Sequence, residues 1–467
     1  MTSKTKRPTL IVTCLATAML MLDIAVVNTA MAHIGGDLHA SLNSLKWVVD
    51  AYTLALATTV LTVGSLADRF GRRNVFAAGL VLFTVSSLAC ALADSITMLN
   101  AARVAQGIGA SGLFASSLAL LVNAFPQERE RNGAMAIYGA TIGASFAIGP
   151  LVGGALTSGL SWRWIFLINL PIGIGALAVT LRRVAESRDP AARRVDVPGQ
   201  IALTGGLFLL VLALLRGNDV GWGATSTVAQ FAAAVLLLLA FVGIERRVRE
   251  PMLPLGLFRI PAFAGARITV FAISASFFAV YLYATLYLQN VLGLSAIEAG
   301  LAYLPGTMIM FFVAGASAQL VERVGARLLI AGGLALIAAG MALMMLAGEN
   351  SSWTIILPGF LLASVGTGFF NPALAGVAMS SAPIEMSGLA SGVNDTFRQG
   401  GIAVGVAALG ALIPTASMHL HDAAYVHGLR TASLVCAAVC AVGAIAGWRL
   451  IPGHSTERVG AAVPEAA

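Results

Sequence analysis

Apolar runs of about 20 residues, long enough to cross a bilayer core as helices, follow one another along the whole chain with only short polar breaks. Residues 329–348 form one such run without a single charge. The pattern predicts fourteen spans, at 9–32, 45–64, 74–94, 97–122, 133–158, 163–181, 197–216, 225–244, 264–289, 298–320, 326–347, 352–376, 391–413 and 430–451. An even number of crossings returns both termini to one side. The longest breaks, around 182–196 and 245–263, hold fewer than about 20 residues each, too few for a folded soluble domain. The fold class is all-α and polytopic, and the chain's work falls inside the bundle. With neither a clustered catalytic site nor a soluble domain, an enzyme is not expected.

Composition agrees. Apolar residues make up 58% of the chain and charged ones 10%, against roughly 25% charged in soluble domains. The net charge of +7 raises the question of nucleic acid, but its distribution excludes that reading. Of 28 Lys and Arg, 21 fall in one alternating set of loops and tails, and only Lys46, Arg163 and Arg430 in the opposite set. That asymmetry marks the basic side as cytoplasmic and places both termini there, in a multi-pass protein of the cytoplasmic membrane. Lys4, Lys6 and Arg7 before an apolar run ending Ala30-Met31-Ala32 outline a cleavable signal. The run is too long for one and contains Asp23, so it is read as a retained first helix. Cys14, Cys90, Cys436 and Cys440 lie in apolar segments as small packing residues. No disulfide, metal site or cofactor is expected.

The chain repeats itself once. GSLADRFGRR at 64–73 and AQLVERVGAR at 318–327 align Asp68, Arg69, Gly71 and Arg73 with Glu322, Arg323, Gly325 and Arg327 at one offset of 254. Both segments join the second and third helices of a six-helix set on the basic side. Two related bundles with two helices inserted between them account for this. The expected units are a bundle at 1–188, an insert with flanking cytoplasmic loops at 189–260, a second bundle at 261–451 and a cytoplasmic tail at 452–467.

A charge inside a span costs about 2.5–3.5 kcal/mol on insertion scales, so each needs a reason. Asp23 lies about 21 Å from the cytoplasmic end of the first span and Arg103 about 7 Å from the outer end of the fourth, at 1.5 Å per residue. In a core about 30 Å thick the two reach nearly the same depth. They either pair directly or face one polar cavity. Burial favours a carboxyl's neutral form and a neighbouring cation its charged form. Balanced, they make a group that exchanges protons; unbalanced, a static pair that locks two helices.

Gln106, Gly107 and Ser111 share the helix face of Arg103 and read as the lining of an aqueous path, or as helix–helix hydrogen bonding. Asn28 lies about 140° around the first helix from Asp23 and serves another contact. Asp395 and Arg398, three residues apart, form a local pair or gate contact near the cytoplasmic end of the thirteenth span. Ser145, Gly149, Pro150, Gly153 and Gly154 let the fifth helix approach its neighbours closely, tightening the joint between halves, with a kink at the proline. Gly64, Asp68, Arg69, Gly71, Arg72 and Arg73 compress cations, an acid and glycines into a cytoplasmic turn that serves as a gate. Tyr281, Tyr283, Tyr287, Phe369, Phe370 and Asn371 are packing or interfacial residues first, with Tyr281, Phe370 and Asn371 also candidates for a substrate path. His419, His421, Asp422 and His427 read as a solvated outer loop.

Together these segments resemble the major facilitator superfamily, in its fourteen-helix drug:proton antiporter branch. GSLADRFGRR (64–73) is similar to the superfamily's cytoplasmic loop motif. LNAARVAQGIGAS (99–111) is similar to its helix-4 motif, with Arg103 at the arginine linked to proton transfer. LDIAVVNTA (22–30) resembles the helix-1 motif of this branch, with Asp23 and Asn28 in place. SFAIGPLVGG (145–154) resembles the helix-5 antiporter motif, and WRWIFLINLPIG (162–173), DVPG (196–199) and EPMLPLGLF (250–258) also look like this branch. Ala25 and Thr29 stand where the helix-1 motif usually has Thr and Val, and Ala136 and Ser145 where the helix-5 motif often has Gly.

The resemblance implies alternating access by rocking of two halves, with proton entry driving export of hydrophobic or amphiphilic drugs and antibiotics. Asp23 and Arg103 would couple protons, and Asn28, Gln106, Tyr281, Phe370, Asn371, Asp395 and Arg398 would line the substrate path. The alternative on the same fold is proton-coupled uptake of a small metabolite. Expected partners are a small molecule and the bilayer, with no nucleic acid, and the chain is expected to work as a monomer. With only Asp23 and Asp395 read as acids of the helical core, neutral or monocationic substrates fit better than polycations.

Overall fold

The computed structural model describes residues 3–188, 196–248, 250–381, 387–413 and 423–453. Helices dominate, and no strand occurs among the described residues. The first six crossings are α1 (Ser3–Asp37), α2 (Leu42–Phe70), α3 (Arg72–Ala91), α4 (Ile96–Ala124), α5 (Glu128–Gly159) and a broken sixth made of α6 (Trp164–Leu167) and α7 (Asn169–Arg183). The insert supplies α8 (Val197–Val220) and α9 (Thr225–Glu245). The ninth crossing combines α10 (Pro261–Ile273) and α11 (Ala279–Leu286) with wider π turns at Ser274–Phe278 and Tyr287–Val291. Then come α12 (Ala296–Val324), α13 (Ala326–Leu343), α14 (Leu357–Ser380), α15 (Ser387–Ala411) and α16 (Ala423–Leu450). The fourteen expected crossings are all helical. Twelve are long and apolar enough to span a membrane by their described residues, and α5 and α15 fill the other two places in order.

Most helices outrun their apolar windows. The first covers 3–37 rather than 9–32, because the window measures hydrocarbon thickness while backbone hydrogen bonding continues into the interface. Starts are marked by local chemistry. Ser41, Ser95 and Ser295 accept from backbone N–H groups of the first turns of α2, α4 and α12, and Ser295 forms a reciprocal cap with Glu298. In the DVPG segment the Asp196 side chain caps α8 by accepting from Gly199 N at 2.9 Å. Glu245 at the end of α9 accepts from Leu253 N at 3.0 Å, anchoring the EPMLPLGLF segment.

The helices pack as two groups. In the first, α1 lies on α4, α5 and α7, α2 on α4, and α3 on α4 and α7. In the second, α13 lies on α14 and α16, α12 on α14, and α10 on α15 and α16. The groups meet along two seams, α5 against α12 and α2 against α15. The insert pairs with itself and lays α8 along the α2–α15 seam. Outward-facing apolar side chains such as Leu236 and Phe312 are 67% and 69% exposed, as lipid contact requires of a polytopic bundle.

Two loops relate the groups. Gly71 alone separates α2 from α3, and Gly325 alone separates α12 from α13, with φ of 108° and 83°. Gly64, Asp68 and Arg69 therefore lie in the last turns of α2, and Arg72 and Arg73 open α3; the expected tight turn is one residue long. Lys46 and Arg430, assigned from sequence to outer loops, instead lie within helices. Lys46 is buried in α2, and Arg430 in α16 donates to Ala347 O at 2.7 Å. A long side chain that finds a carbonyl can stay at membrane depth, which a charge count along loops does not register.

Candidate functional site

Asp23 and Arg103 meet. Arg103 Nη1 donates to Asp23 Oδ2, and each residue is 1% exposed. Gln106 Nε2 and Asn169 Nδ2 donate to Asp23 Oδ1 at 2.9 and 3.2 Å. Arg103 also donates through Nε to Val48 O at 2.8 Å and through Nη1 to Gln106 Oε1 at 2.7 Å. Ser87 Oγ accepts from Gln106 and Asn169 at 2.9 and 3.3 Å. The Tyr52 ring lies 4.2 Å from the guanidinium carbon. Five crossings thus converge on one ion pair, and every strong acceptor in it is answered by a donor, as a buried pair needs to persist.

Of the two sequence readings, direct pairing holds and a shared cavity does not. Gln106 is fully buried in this network, and Gly107 packs against the Tyr52 carbonyl so tightly that a Cβ would collide with it. Ser111 donates to Ile108 O at 2.7 Å. The stripe on α4 is helix–helix packing and lines no aqueous path in this structure. Arg103 and Gln106 satisfy each other because neighbouring helices supply the complement in Asp23 and Ser87, while Ser111 bonds its own helix.

The cavity lies one helix face away, between the two groups. Ile24, Ala25 and Asn28 of α1 and Val49 of α2 form one wall. Phe277, Phe278 and Tyr281, on and just after the first π turn, face them, with Thr307 and Met310 of α12, Phe360 and Ser364 of α14, and Ile402 and Val406 of α15. None of these lining residues is charged. The Tyr281 ring packs on Tyr303 at 4.5 Å between centroids, and Tyr303 on Phe360 at 4.9 Å, giving the site an aromatic flank. Asn28 Oδ1, Tyr281 OH and Ser364 Oγ are buried and have no hydrogen-bond partner among the described residues. Such groups are costly to bury unless something answers them.

Other expected path residues lie elsewhere. Phe370 is fully buried against Gly333, between α13 and α14, and Asn371 is absent from the cavity lining. Asp395 and Arg398 lie close enough to act on each other, together with Arg267 of α10 and Tyr138 of α5. They are not the locally satisfied pair their spacing suggests: no ion pair within 4.0 Å joins them, and Arg398 Nε has no partner among the described residues. Arg267 is committed to Ala390 O at 2.8 Å and Ser381 Oγ at 3.3 Å. Tyr283 and Tyr287 donate to the carbonyls of Val406 and Gly348, a structural use. His419, His421 and Asp422 lie outside the described residues, and His427 is exposed in α16.

At the loop between α2 and α3, Arg72 and Asp68 pair at 2.8 Å across one helical turn. Glu186, just beyond α7, accepts from Arg73 N at 3.0 Å, and Ser187 O accepts from Arg72 N at 3.0 Å. In the second group Arg327 Nε donates to Ile451 O at 2.6 Å, just beyond α16. Each group therefore docks its loop between second and third helices onto the end of its sixth. On α5, a side chain at Gly149 or Gly153 would strike Ala25, or Thr29 and Val26, within the same group, and only Gly154 faces Ala296 of α12. The glycine run thus serves packing inside the first bundle as much as the joint between halves. Ser145 Oγ donates to Thr141 O at 2.8 Å, and α5 continues as one helix through Pro150.

Sequence reasoning missed Ser87, Asn169 and Glu186, and it missed an acid of the helical core beyond Asp23 and Asp395. Asp50 of α2 is fully buried, and neither carboxylate oxygen has a hydrogen-bond partner among the described residues. Counting charges inside the predicted 45–64 span would have found it.

Comparison with known proteins gives one answer. Residues 13–406 match the sequence model of the Major Facilitator Superfamily. The chain is 34% identical to the multidrug resistance protein Stp of Mycobacterium tuberculosis (strain CDC 1551 / Oshkosh), over 96% of this chain and 93% of that protein. It is 34% identical to the methylenomycin A resistance protein of Streptomyces coelicolor, over 94% and 92% of the two chains. It is 35% identical to the tetracenomycin C resistance and export protein of Streptomyces glaucescens, over 87% and 76%. Among solved structures, the human organic anion transporter MFSD10 (TETRAN) superposes with a TM-score of 0.63 at 15% identity, covering 95% of this chain and 99% of that one, a likeness of fold.

Proposed function

The chain belongs to the Major Facilitator Superfamily, and from that premise we propose that it exports small hydrophobic or amphiphilic compounds, drugs and antibiotics among them, across the cytoplasmic membrane in exchange for protons. A member of this family is a multi-pass membrane transporter and not an enzyme. Export is supported by relatives named for resistance and export. The observation that carries the substrate reading is the uncharged, aromatic-flanked cavity between the two groups. Apolar walls with a few free polar atoms are what a neutral or weakly charged ligand of mixed character fits.

In this reading the two bundles rock about the cavity, exposing it to each side in turn, with both termini cytoplasmic. Proton coupling falls to Asp23 and Arg103. Ile24 and Ala25 belong to the cavity wall, so Asp23 sits directly behind it on the same turn of α1. Protonating Asp23 removes one half of the ion pair while Arg103 keeps its acceptors on Val48 and Gln106. The tie between α1 and α4 weakens, and the wall is freed to move. Asp23 is sealed in this structure, so exchange belongs to another position of the cycle. The loop held by Asp68, Arg72 and Glu186 is the cytoplasmic gate. Inward proton flow supplies about 2.3 kcal/mol per charge per 100 mV and about 1.4 kcal/mol per pH unit, so two protons sustain gradients of a hundredfold or more.

The test is a drug-susceptibility and dye-efflux panel in an efflux-deficient host, with and without a proton uncoupler. Expression is expected to lower accumulation of at least one apolar antibiotic or dye, the uncoupler to restore it, and Asp23→Asn to abolish the effect while the protein still inserts. Efflux that persists with the uncoupler, or in Asp23→Asn, overturns the coupling.

A further inference from the structure

Lys46 and Asp50 occupy one face of α2, one turn apart, on the seam with α15. Lys46 is 1% exposed, and its Nζ donates to Asn43 Oδ1 at 3.0 Å and, across the seam, to Gly410 O at 3.1 Å. It is the one direct side-chain bond from α2 to the end of α15 among those described. The fit is close: a Cβ on Gly410 would lie 2.6 Å from Lys46 Nζ and 2.5 Å from Tyr283 OH. Around it the outer ends of three crossings are tied. Asn43 Nδ2 donates to Asp219 at the end of α8, and Asn218 Nδ2 to Ala411 O at 2.7 Å.

Asp50 lies one turn deeper with both oxygens unanswered. Lys46 is the charge that acts on it, yet no ion pair within 4.0 Å joins them. From α11 the Tyr283 phenol faces it, but donates to Val406 O. From α4, Arg103 is turned away onto Val48 O and Asp23, and from α8, Asp219 acts on Lys46 while Arg216 is exposed. Asp395 and Arg398 of α15 lie at least roughly 18 Å along the helix from Gly410, at 1.5 Å per residue. An ionised carboxylate with no donor does not persist in so apolar a place, while a neutral one does. Lys46, meanwhile, spends its donors on a neutral carbonyl of the other half although an acid of its own helix is within a turn.

We propose that Asp50 is a second proton-binding carboxylate of the transport cycle, and that Lys46 is a latch whose partner it selects. With Asp50 protonated, Lys46 crosses to Gly410 and holds the outer seam shut. With Asp50 ionised, the ammonium turns back to the carboxylate, the Gly410 bond is lost, and the outer seam opens. A proton arriving from outside therefore closes the outer face. This rests on the proton-coupled reading above, but it concerns a different carboxylate and a different joint.

The test uses the full chain in lipid nanodiscs, with the four native cysteines replaced by Ala and spin labels at Leu160→Cys and Leu346→Cys, exposed outer positions on the two groups. Electron–electron distance distributions are recorded across about pH 5 to 9. A single short distance is expected at low pH, with a longer population growing by up to about tenfold in ratio per pH unit, as one controlling proton allows. Asp50→Asn is expected to stay short throughout, Lys46→Met to show the long population even at low pH, and Asp50→Glu to restore the titration. A parent whose outer distance ignores pH, or an Asp50→Asn protein that titrates as the parent does, overturns the latch even if Asp23→Asn abolishes uncoupler-sensitive efflux. Efflux insensitive to uncoupler overturns the coupling reading, while a seam response lost in both Asp50→Asn and Lys46→Met still supports the latch.

Discussion

Gly71 and Gly325, 254 positions apart, do the same job: each is the single residue between two antiparallel helices, and each holds a φ (108° and 83°) that L side chains rarely adopt. At Gly71 the geometry is doubly restrictive, because an added Cβ would lie 2.6 Å from the Glu186 carboxyl carbon. Gly71→Ala is therefore expected to cost about 1–3 kcal/mol from backbone strain, plus displacement of Glu186. Thermal unfolding in detergent should show a lower midpoint for Gly71→Ala than for Gly64→Ala, whose Cβ meets only Ala115 at 3.8 Å. Equal midpoints would remove the special role assigned to the turn.

That repeat was legible because a charged loop at fixed offset survives in one dimension. The depth arithmetic for Asp23 and Arg103 was legible for a similar reason: rise per residue and bilayer thickness are constants. Faces were harder. Gln106 lies on Arg103's side of α4, but whether that side meets water or Ser87 and Asn169 depends on α3 and α7, which no local pattern specifies. The cavity draws its lining from separate crossings, a residue or a few from each, so Phe360 and Ser364 carry no signal that Phe370 and Asn371 lack. Glu186 sits in a loop of many charges, and only the docking of that loop onto α3 distinguishes it.

The Asp23–Arg103 pair invites a double-mutant cycle. Removing one partner leaves the other buried and uncompensated, a loss of about 3–5 kcal/mol. Arg103→Gln strips the ionised Asp23 of its counter-charge, leaving only Gln106 and Asn169 as donors. Asp23→Asn/Arg103→Gln together are expected to be less destabilised than the sum of the singles by at least about 1 kcal/mol. Additive unfolding midpoints would mean that the two residues do not act as a unit.

Glu186 is expected to hold the loop between α2 and α3 to its bundle. Its Oε1 accepts from Arg73 N at 3.0 Å and from Ser187 N at 2.9 Å, and its Oε2 lies 3.8 Å from Arg73 Nε. Glu186→Ala should lose about 1.5–3 kcal/mol of charged hydrogen bonding locally. Hydrogen exchange of the amides at 71–75 is expected to accelerate by at least about tenfold, as 1.4 kcal/mol of local opening implies, while the Asp23 region stays protected. Unchanged exchange at 71–75 would argue that Arg72–Asp68 and Ser187 suffice to hold the loop.

The cavity makes the sharpest prediction about selectivity. Tyr281 OH, Asn28 Oδ1 and Ser364 Oγ have no hydrogen-bond partner among the described residues, so under the proposed function a bound compound with its own donor or acceptor would answer them. A hydrogen bond of this kind contributes about 0.5–1.5 kcal/mol net. Tyr281→Phe is accordingly expected to weaken export of a hydroxylated polycyclic antibiotic by about two- to tenfold while leaving a purely apolar dye unchanged. The wall also contains no carboxylate, so Ser364→Asp should extend export toward organic cations by supplying the missing counter-charge. Growth inhibition by paired neutral and cationic compounds reads both effects. If Tyr281→Phe changes both classes equally, or Ser364→Asp gains no cation, the cavity is not where substrate is discriminated.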